Sequence, residues 1–257
     1  MHGLDFFSMS GHSKWASIKH KKAVTDQRRG AEFTKLARAI QVAAREGGGD
    51  PAGNAALANA VQKAKDGGMP KQNIERAIAK GTGADVDADA IETVVYEGYG
   101  PGGVAILVEA LTDNRNRTGS EVRHIFSRSD GNLGEPGSVA WVFEKKGVIV
   151  VDAGRASEDD LMVAIDAGAE DVAIDENLYE VITAPADLQA AREALEGAGI
   201  QIESAELTMR PTNRVEVGEG QVGALMRLIE ALEEHDDVDA VHANFDISEE
   251  VMERALA

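Results

Sequence analysis

Two stretches of the sequence combine residue types that bind phosphate. In GHSKWASIKHKKAVTDQRRG, from Gly11 to Gly30, the cations Lys14, Lys19, Lys21, Lys22, Arg28 and Arg29 are packed together, with Trp15 and His20 among them. Cations so placed neutralise phosphates, and an indole or imidazole beside them offers a stacking face or a hydrogen-bonding edge. The structural alternative is a solvated basic tail with Trp15 tucked into a neighbouring core. The second stretch, TDNRNRTGSEVRH, alternates Asn114 and Asn116 with Arg115 and Arg117 ahead of an expected helix, and places Arg123 one face further on. Guanidinium groups hold phosphate bidentately, and the free N–H groups of a helix start favour anions. One side chain suffices to cap a helix, so this alternation points to a functional surface beyond capping.

Other patterns resemble chemistry and fail on context. GYGPGG matches G-x-G-x-x-G through Gly98, Gly100 and Gly103, but Pro101 and a strand follow where a dinucleotide site needs a helix N-terminus. DVDADA spaces Asp85, Asp87 and Asp89 like a calcium loop, yet Ala90 stands where Gly is required and Tyr96 where a bidentate Glu is required. His235 and His242, among Asp236, Asp237 and Asp239, are metal-ligating types without a helical i,i+4 His pair or second cluster, and no metal or cofactor is expected. The absence of cysteine excludes disulfides, thiolate metal sites and a Cys nucleophile. No P-loop or H-E-x-x-H occurs; a Ser/His/Asp set assembled in space stays open. Nothing demands catalysis.

The formal charge of -19 conceals an asymmetry. Residues 1–82 hold 14 Lys and Arg against 7 Asp and Glu, a net of +7, whereas residues 83–257 hold 12 against 38, a net of -26. A basic head on an acidic body suits a polyanionic partner at one end, because the rest of the molecule repels nucleic acid. A solvated basic helix face is the plainer reading of the same charges.

The elements that must position these residues follow from periodicity. In RRGAEFTKLARAIQVAARE, Phe33, Leu36, Ala37, Ile40 and Ala44 recur at helical spacing, and at about 100° per residue Arg28, Lys35, Arg38 and Arg45 share the opposite, outward side. Helices through Leu57, Val61 and Ala64, started by Pro51, and through Ile74, Ala77 and Ile78, started by Pro70, complete a small bundle. TGADVDADA reads as an acidic linker. ETVVYEGY and GVAILVEAL are strands joined by a Gly/Pro turn, followed by a helix burying Val122, Ile125 and Phe126. SVAWVFEKKGVIVVD reads as a hairpin turning near Lys145–Gly147. Further elements give a β-α-β-β-α-β order, the ferredoxin-like pattern, between about 138 and 207. A helix over Val222–Leu232 and a strand in AVHANFDI follow.

The expected fold is therefore α+β and multi-domain. Residues 1–82 form a basic three-helix domain, 83–137 with 208–257 a discontinuous α/β domain, and 138–207 an acidic ferredoxin-like domain inserted in it. The opening MHGLDFFSMS lacks the features of a secretory signal or transit peptide. Met9 precedes SGHSKW, so Met1–Ser8 reads as an alternative start or an appended piece. No run approaches the ~18 apolar residues of a membrane span. A cytoplasmic protein without membrane contact is expected, with a monomer the favoured state.

These stretches closely resemble the YebC family, which includes PmpR-like bacterial regulators and a mitochondrial translational activator of cytochrome c oxidase I. The matching runs are GHSKWASIKHKKAVTDQRRG, FTKLARAI, AAREGGGDP, MPKQNIERAIAKGTG, YEGYGPGGVAILVEALTDNRNRT and DGNLGEPGSVAWVFEKKGVI, in order from Gly11 to about Ile149. The resemblance implies a helical domain before two α/β domains, one inserted in the other, and no catalytic activity. It implies nucleic acid as the partner: DNA for a transcriptional regulator, or ribosomal or transfer RNA for a translation factor acting on the ribosome, including at proline-rich stretches. No zinc finger, basic zipper or confident helix-turn-helix is legible, so a sequence-specific reader of the major groove is not evident. An enzyme with a site between the α/β domains is the reading from another class.

Overall fold

The computed structural model describes residues 26–83, 91–175, 177–248, 251 and 254, with residues 26–31 and 175 described by their backbone alone. The fold is α+β. Phe143–Thr212 makes one compact unit; the described residues up to Val142 and from Asn213 make the other.

The second of these begins with three helices, α1 (Asp26–Gly47), α2 (Ala55–Asp66) and α3 (Lys71–Gly81). Leu36, Ile40 and Ala44 of α1 meet Leu57, Val61 and Ala64 of α2 and Ile74 and Ala77 of α3 in one apolar cluster. Helical spacing alone puts these residues on the inner faces. Pro51 does not start α2 as expected; it lies in the preceding turn, and Asn54 is the cap. The Asn54 side chain accepts from Leu57 N–H at 3.1 Å and donates to the carbonyls of Ala43 (2.8 Å) and Gly48 (2.9 Å), so it ties α2 to the end of α1. Where α3 crosses α1, a Cβ on Gly81 would collide with the Gln41 carbonyl and the Ala44 methyl.

The same unit continues into a sheet of β1 (Glu92–Tyr99), β2 (Ala105–Thr112), β3 (Asn132–Leu133) and β9 (Val238–Ala243), in the order β3-β1-β2-β9. GYGPGG is the turn between β1 and β2. Helices α4 (Arg115–Arg128) and α7 (Glu219–Glu233) supply the cover: Val122 and Phe126 of α4 and Leu225, Leu228, Ile229 and Leu232 of α7 are buried with Ile106, Val108 and Val241. A short parallel pair, β8 (Val215–Glu216) with β10 (Phe245–Asp246), closes the unit.

The unit Phe143–Thr212 contains β4 (Phe143–Asp152), α5 (Glu158–Asp166), β5 (Ala169–Asp175), β6 (Leu178–Thr183), α6 (Leu188–Gly197) and β7 (Ile202–Pro211). Its sheet order is β5-β6-β4-β7 with antiparallel neighbours, the ferredoxin-like arrangement. One expectation fails here. The hairpin predicted at Lys145–Gly147 does not exist, because β4 runs straight through these residues, pairing Lys145 with Met209 and Gly147 with both Leu207 and Thr183. Gly147 is needed for close approach: a Cβ there would strike the Thr183 hydroxyl and stand 2.9 Å from Leu188 Cβ.

Candidate nucleic-acid interface

Lys14, Trp15, Lys19, His20, Lys21 and Lys22 lie outside the described residues. Arg28 and Arg29 fall in the first turns of α1, where the backbone alone is described.

The rest of the α1 stripe is not the outward face the periodicity suggests. Lys35 Nζ donates to the Glu233 carbonyl at 2.6 Å, one of the last carbonyls of α7 that no intrahelical N–H reaches. A cation at that helix end also complements the α7 dipole. Arg38 Nη1 donates to the Asp236 carbonyl at 2.8 Å and to Asp237 Oδ1 at 2.9 Å, and Arg45 Nη1 to the Ile91 carbonyl at 2.6 Å. The wheel identifies which residues share a side of α1; it carries no information on what packs across from that side.

Asp237 is the centre of this contact. Its side chain is 4% exposed, and its Oδ2 accepts from Arg117 Nη2 (2.8 Å) and Thr118 Oγ1 (2.7 Å) while Oδ1 accepts from Arg38. Thr112 Oγ1 stands 2.8 Å from Thr118 Oγ1 and completes the cluster. Burial alone would raise the Asp237 carboxyl. The hydrogen bonds from Arg117 and Thr118, with the charges of Arg117 and Arg38, outweigh it and hold the group at about 2. Two residues on, in β9, burial raises the Asp239 carboxyl, with Lys63 and Lys35 of the helical region pulling the other way.

The Asn/Arg loop divides between structural and open groups. Asn114 is the N-cap of α4 and accepts from Arg117 N–H at 3.1 Å, so it does the capping that the alternation seemed to exceed. Arg117 is bound to Asp113 (2.9 Å) and Asp237. Arg115 is exposed, with Glu92 at 3.7 Å, a surface pair of small worth. Asn116 and Arg123 are exposed and make no side-chain hydrogen bond among the described residues.

Between α1, α3 and the start of β1 lies an open groove of about 570 Å³. Phe33, Arg38 and Gln41 line one wall and Asn73, Arg76 and Lys80 another, with Ile91 and Asp113 completing it. Arg76 and Lys80 are exposed and have no ion-pair partner among the described residues. Sequence reasoning passed over them although Asn73, Arg76 and Lys80 recur at i, i+3 and i+7, the spacing of one helix face. The groove ends at Asp113, so the helical region and the Asn/Arg loop meet in one surface feature.

The acidic cluster around the histidines also resolves. Asp237 N–H donates to His235 Nδ1 (3.1 Å), which leaves the His235 proton on Nε2, 2.9 Å from Glu121 Oε2. Glu121, His235 and Asp237 converge at metal-ligand spacing. The residues do not fit a metal, because both Asp237 oxygens already face guanidinium groups. His242 stands apart from them on β9, paired across from Leu107. Among the described residues, no helix is long and apolar enough to cross a membrane.

A cationic helical region feeding a sheet domain, with a ferredoxin-like unit carried in the chain between its strands, defines the class. The chain matches the model of the TACO1/YebC protein N-terminal domain over residues 13–84 and that of the TACO1/YebC second and third domain over residues 91–245. It belongs to the TACO1/YebC family. A protein of Rubrobacter xylanophilus named "probable transcriptional regulatory protein" is 58% identical over 245 residues, 95% of this chain and 98% of the relative. One of the same description from Desulfotalea psychrophila is 55% identical over 248 residues, 96% and 99% of the two chains. The crystal structure of a conserved hypothetical protein from Aquifex aeolicus, 48% identical, superposes with a TM-score of 0.78 over 87% of this chain and 93% of its own.

Proposed function

We propose that this protein is a non-enzymatic, nucleic-acid-binding regulator of gene expression, in line with the description its relatives carry. The observation that carries the reading is the groove, where Arg76 and Lys80 have no ion-pair partner among the described residues, in the basic part of an otherwise acidic chain. Exposed cations beside a concave surface suit a phosphate backbone, and the acidic remainder discourages contact elsewhere. In the sequence, Lys14–Lys22 with Arg28 and Arg29 add to the positive charge of residues 1–82. Arg115, Asn116 and Arg123 are exposed on α4, which follows Asp113 in the chain.

A second reading, a translation factor that binds ribosomal or transfer RNA, has its own support. α1, the longest described helix, has Lys35, Arg38 and Arg45 engaged with its own chain. Such a helix is poorly suited to lie in a DNA major groove and read base edges. Recognition through backbone and shape is the better match, and RNA is recognised mainly in that way.

A salt titration of oligonucleotide binding tests the nucleic-acid reading. Each phosphate contact contributes about 0.7 to 0.9 to the log–log salt slope, so Arg76→Gln with Lys80→Gln should flatten it by about 1.4 to 1.8. An unchanged slope and affinity would remove the groove from the proposal.

A further inference from the structure

From the geometry around Trp141 we infer a binding site for an unpaired nucleobase, formed by Trp141 and Tyr99 with the Asn132 amide at its edge; it rests on the nucleic-acid reading above. Trp141 is 69% exposed and Tyr99 39% exposed, in a protein with few aromatic residues. Large aromatic side chains bury well, and Tyr and Trp, with an apolar body and a polar tip, are enriched at interfaces.

The pose is fixed. Trp141 Nε1–H donates to the Ser138 carbonyl at 3.1 Å, and the Tyr99 hydroxyl donates to the same oxygen at 2.9 Å. Both polar tips are thus tied to one atom, and the ring faces remain to be covered. The Ser138 segment is itself held by Glu97, a 7% exposed carboxylate on β1 that accepts from the N–H groups of Gly137 (2.6 Å), Val139 (2.7 Å) and Ala140 (2.8 Å). Burial alone would raise the Glu97 carboxyl, yet the three donors together leave it below its ordinary value. A buried carboxylate is an expensive way to fix a surface loop, and what the loop displays is Trp141.

The surroundings choose the occupant. Asn132 pairs directly with Tyr99 across the β3–β1 ladder, so both side chains leave the same face of the sheet. Asn132 is exposed, and its amide makes no hydrogen bond among the described residues. Of the exposed loop residues Glu135, Pro136 and Gly137, only Pro136 adds aliphatic surface, a single ring and not a rim. Val95, the exposed aliphatic on the same strand face, is four residues from Tyr99, roughly 13 Å away at strand rise. A protein side chain buried here would need an aliphatic rim. Ring faces beside a free amide instead match a base, stacked by its π-face and hydrogen-bonded at its edge.

The experiment uses the full chain carrying Trp15→Phe, whatever its own affinity, so that Trp141 is the single indole. Twelve-nucleotide single-stranded RNA and DNA, and an abasic strand of equal length, are titrated at fixed salt. Stacking should quench the Trp141 emission with either base-bearing strand and not with the abasic one. Trp141→Ala in this background should weaken base-bearing strands about 5- to 150-fold, with the salt slope unchanged because no charge is lost. Trp141→Phe should restore most of the affinity, and Asn132→Ala should reduce discrimination among homopolymers. If Trp141→Ala melts early, the quenching of the intact indole still decides. Binding with unchanged emission and equal affinity of the Ala variant overturns the base site and leaves the nucleic-acid reading standing. So does intact strand binding by a Trp141→Ala protein that has lost only its sedimentation with ribosomal particles, which would assign the rings to a protein surface. Failure of the wild-type chain to bind any strand at low salt overturns both.

Discussion

Asp237 joins groups that are 199 and 120 residues distant in the chain, Arg38 of α1 and Arg117 of α4. Removing its charge leaves two guanidinium groups without their partner, and breaking buried pairs in this way costs roughly 3 to 5 kcal/mol. Both arginines keep some contact with water, so Asp237→Asn should cost about 3 kcal/mol in urea unfolding. The same residue gives a pH signature. Its folded pKa of about 2 is depressed from the usual 3.8, so its contribution is present above about pH 4 and is lost as pH falls through 2. The linkage is worth about 2 kcal/mol. The stability difference between wild type and Asp237→Asn should therefore narrow by about that amount between pH 5 and pH 2; a gap constant over this range would mean that Asp237 is not selectively stabilised as the anion. Arg117→Ala is accordingly a poor probe of binding, whereas Arg115, Asn116 and Arg123 can be changed with little effect on folding.

At the level of elements, periodicity located the helices and strands well, and its errors have physical causes. EKKG in Glu144–Gly147 has the composition of a turn, yet it is continuous strand, paired with β7 throughout and with β6 as well from Gly147 onward. Gly147 is there because Thr183 and Leu188 leave no room for a side chain. Gly147→Ala should thus destabilise the chain by about 1 to 3 kcal/mol, the range for overpacking, seen as a lower melting temperature. A neutral outcome would mean that the strand has slack at this point. Pro51 suggested a helix start that Asn54 provides instead, because the Asn side chain caps α2 and reaches back to Ala43 and Gly48. Such long-range bonds leave no mark on a local pattern.

For the whole molecule, charge separation is the dominant property. Residues 143–212 hold 5 Lys and Arg against 16 Asp and Glu, a net of -11, while residues 1–82 carry +7. A chain so polarised should approach a polyanion basic end first. The two readings of its role then separate in a sucrose gradient of cell extract. A translation factor should travel with ribosomal particles at low salt and leave them as salt rises. A promoter-bound regulator should remain near the top and protect defined DNA sites from nuclease. With Lys35, Arg38 and Arg45 of α1 engaged by their own chain, weak DNA sequence preference is expected. A reproducible promoter footprint, with a specificity ratio of order 10³ or more over random DNA, would decide for transcription.

The sequence by itself determined the α+β class, the helical start, the ferredoxin-like order of the unit Phe143–Thr212 and the resemblance to one family. These properties are encoded at short range, in apolar residues repeating every three to four or every two positions and in contiguous motif runs. The tertiary structure alone decided what the charges do. Lys35 and Arg38 share a helix face with cations that read as a grip, and they prove to hold α1 against the end of α7 and Asp237. Arg76 and Lys80, unremarked in the sequence, are the cations left open to a groove. Which counter-charge a side chain meets depends on elements far away in the chain that packing brings to it, and no local spacing records that.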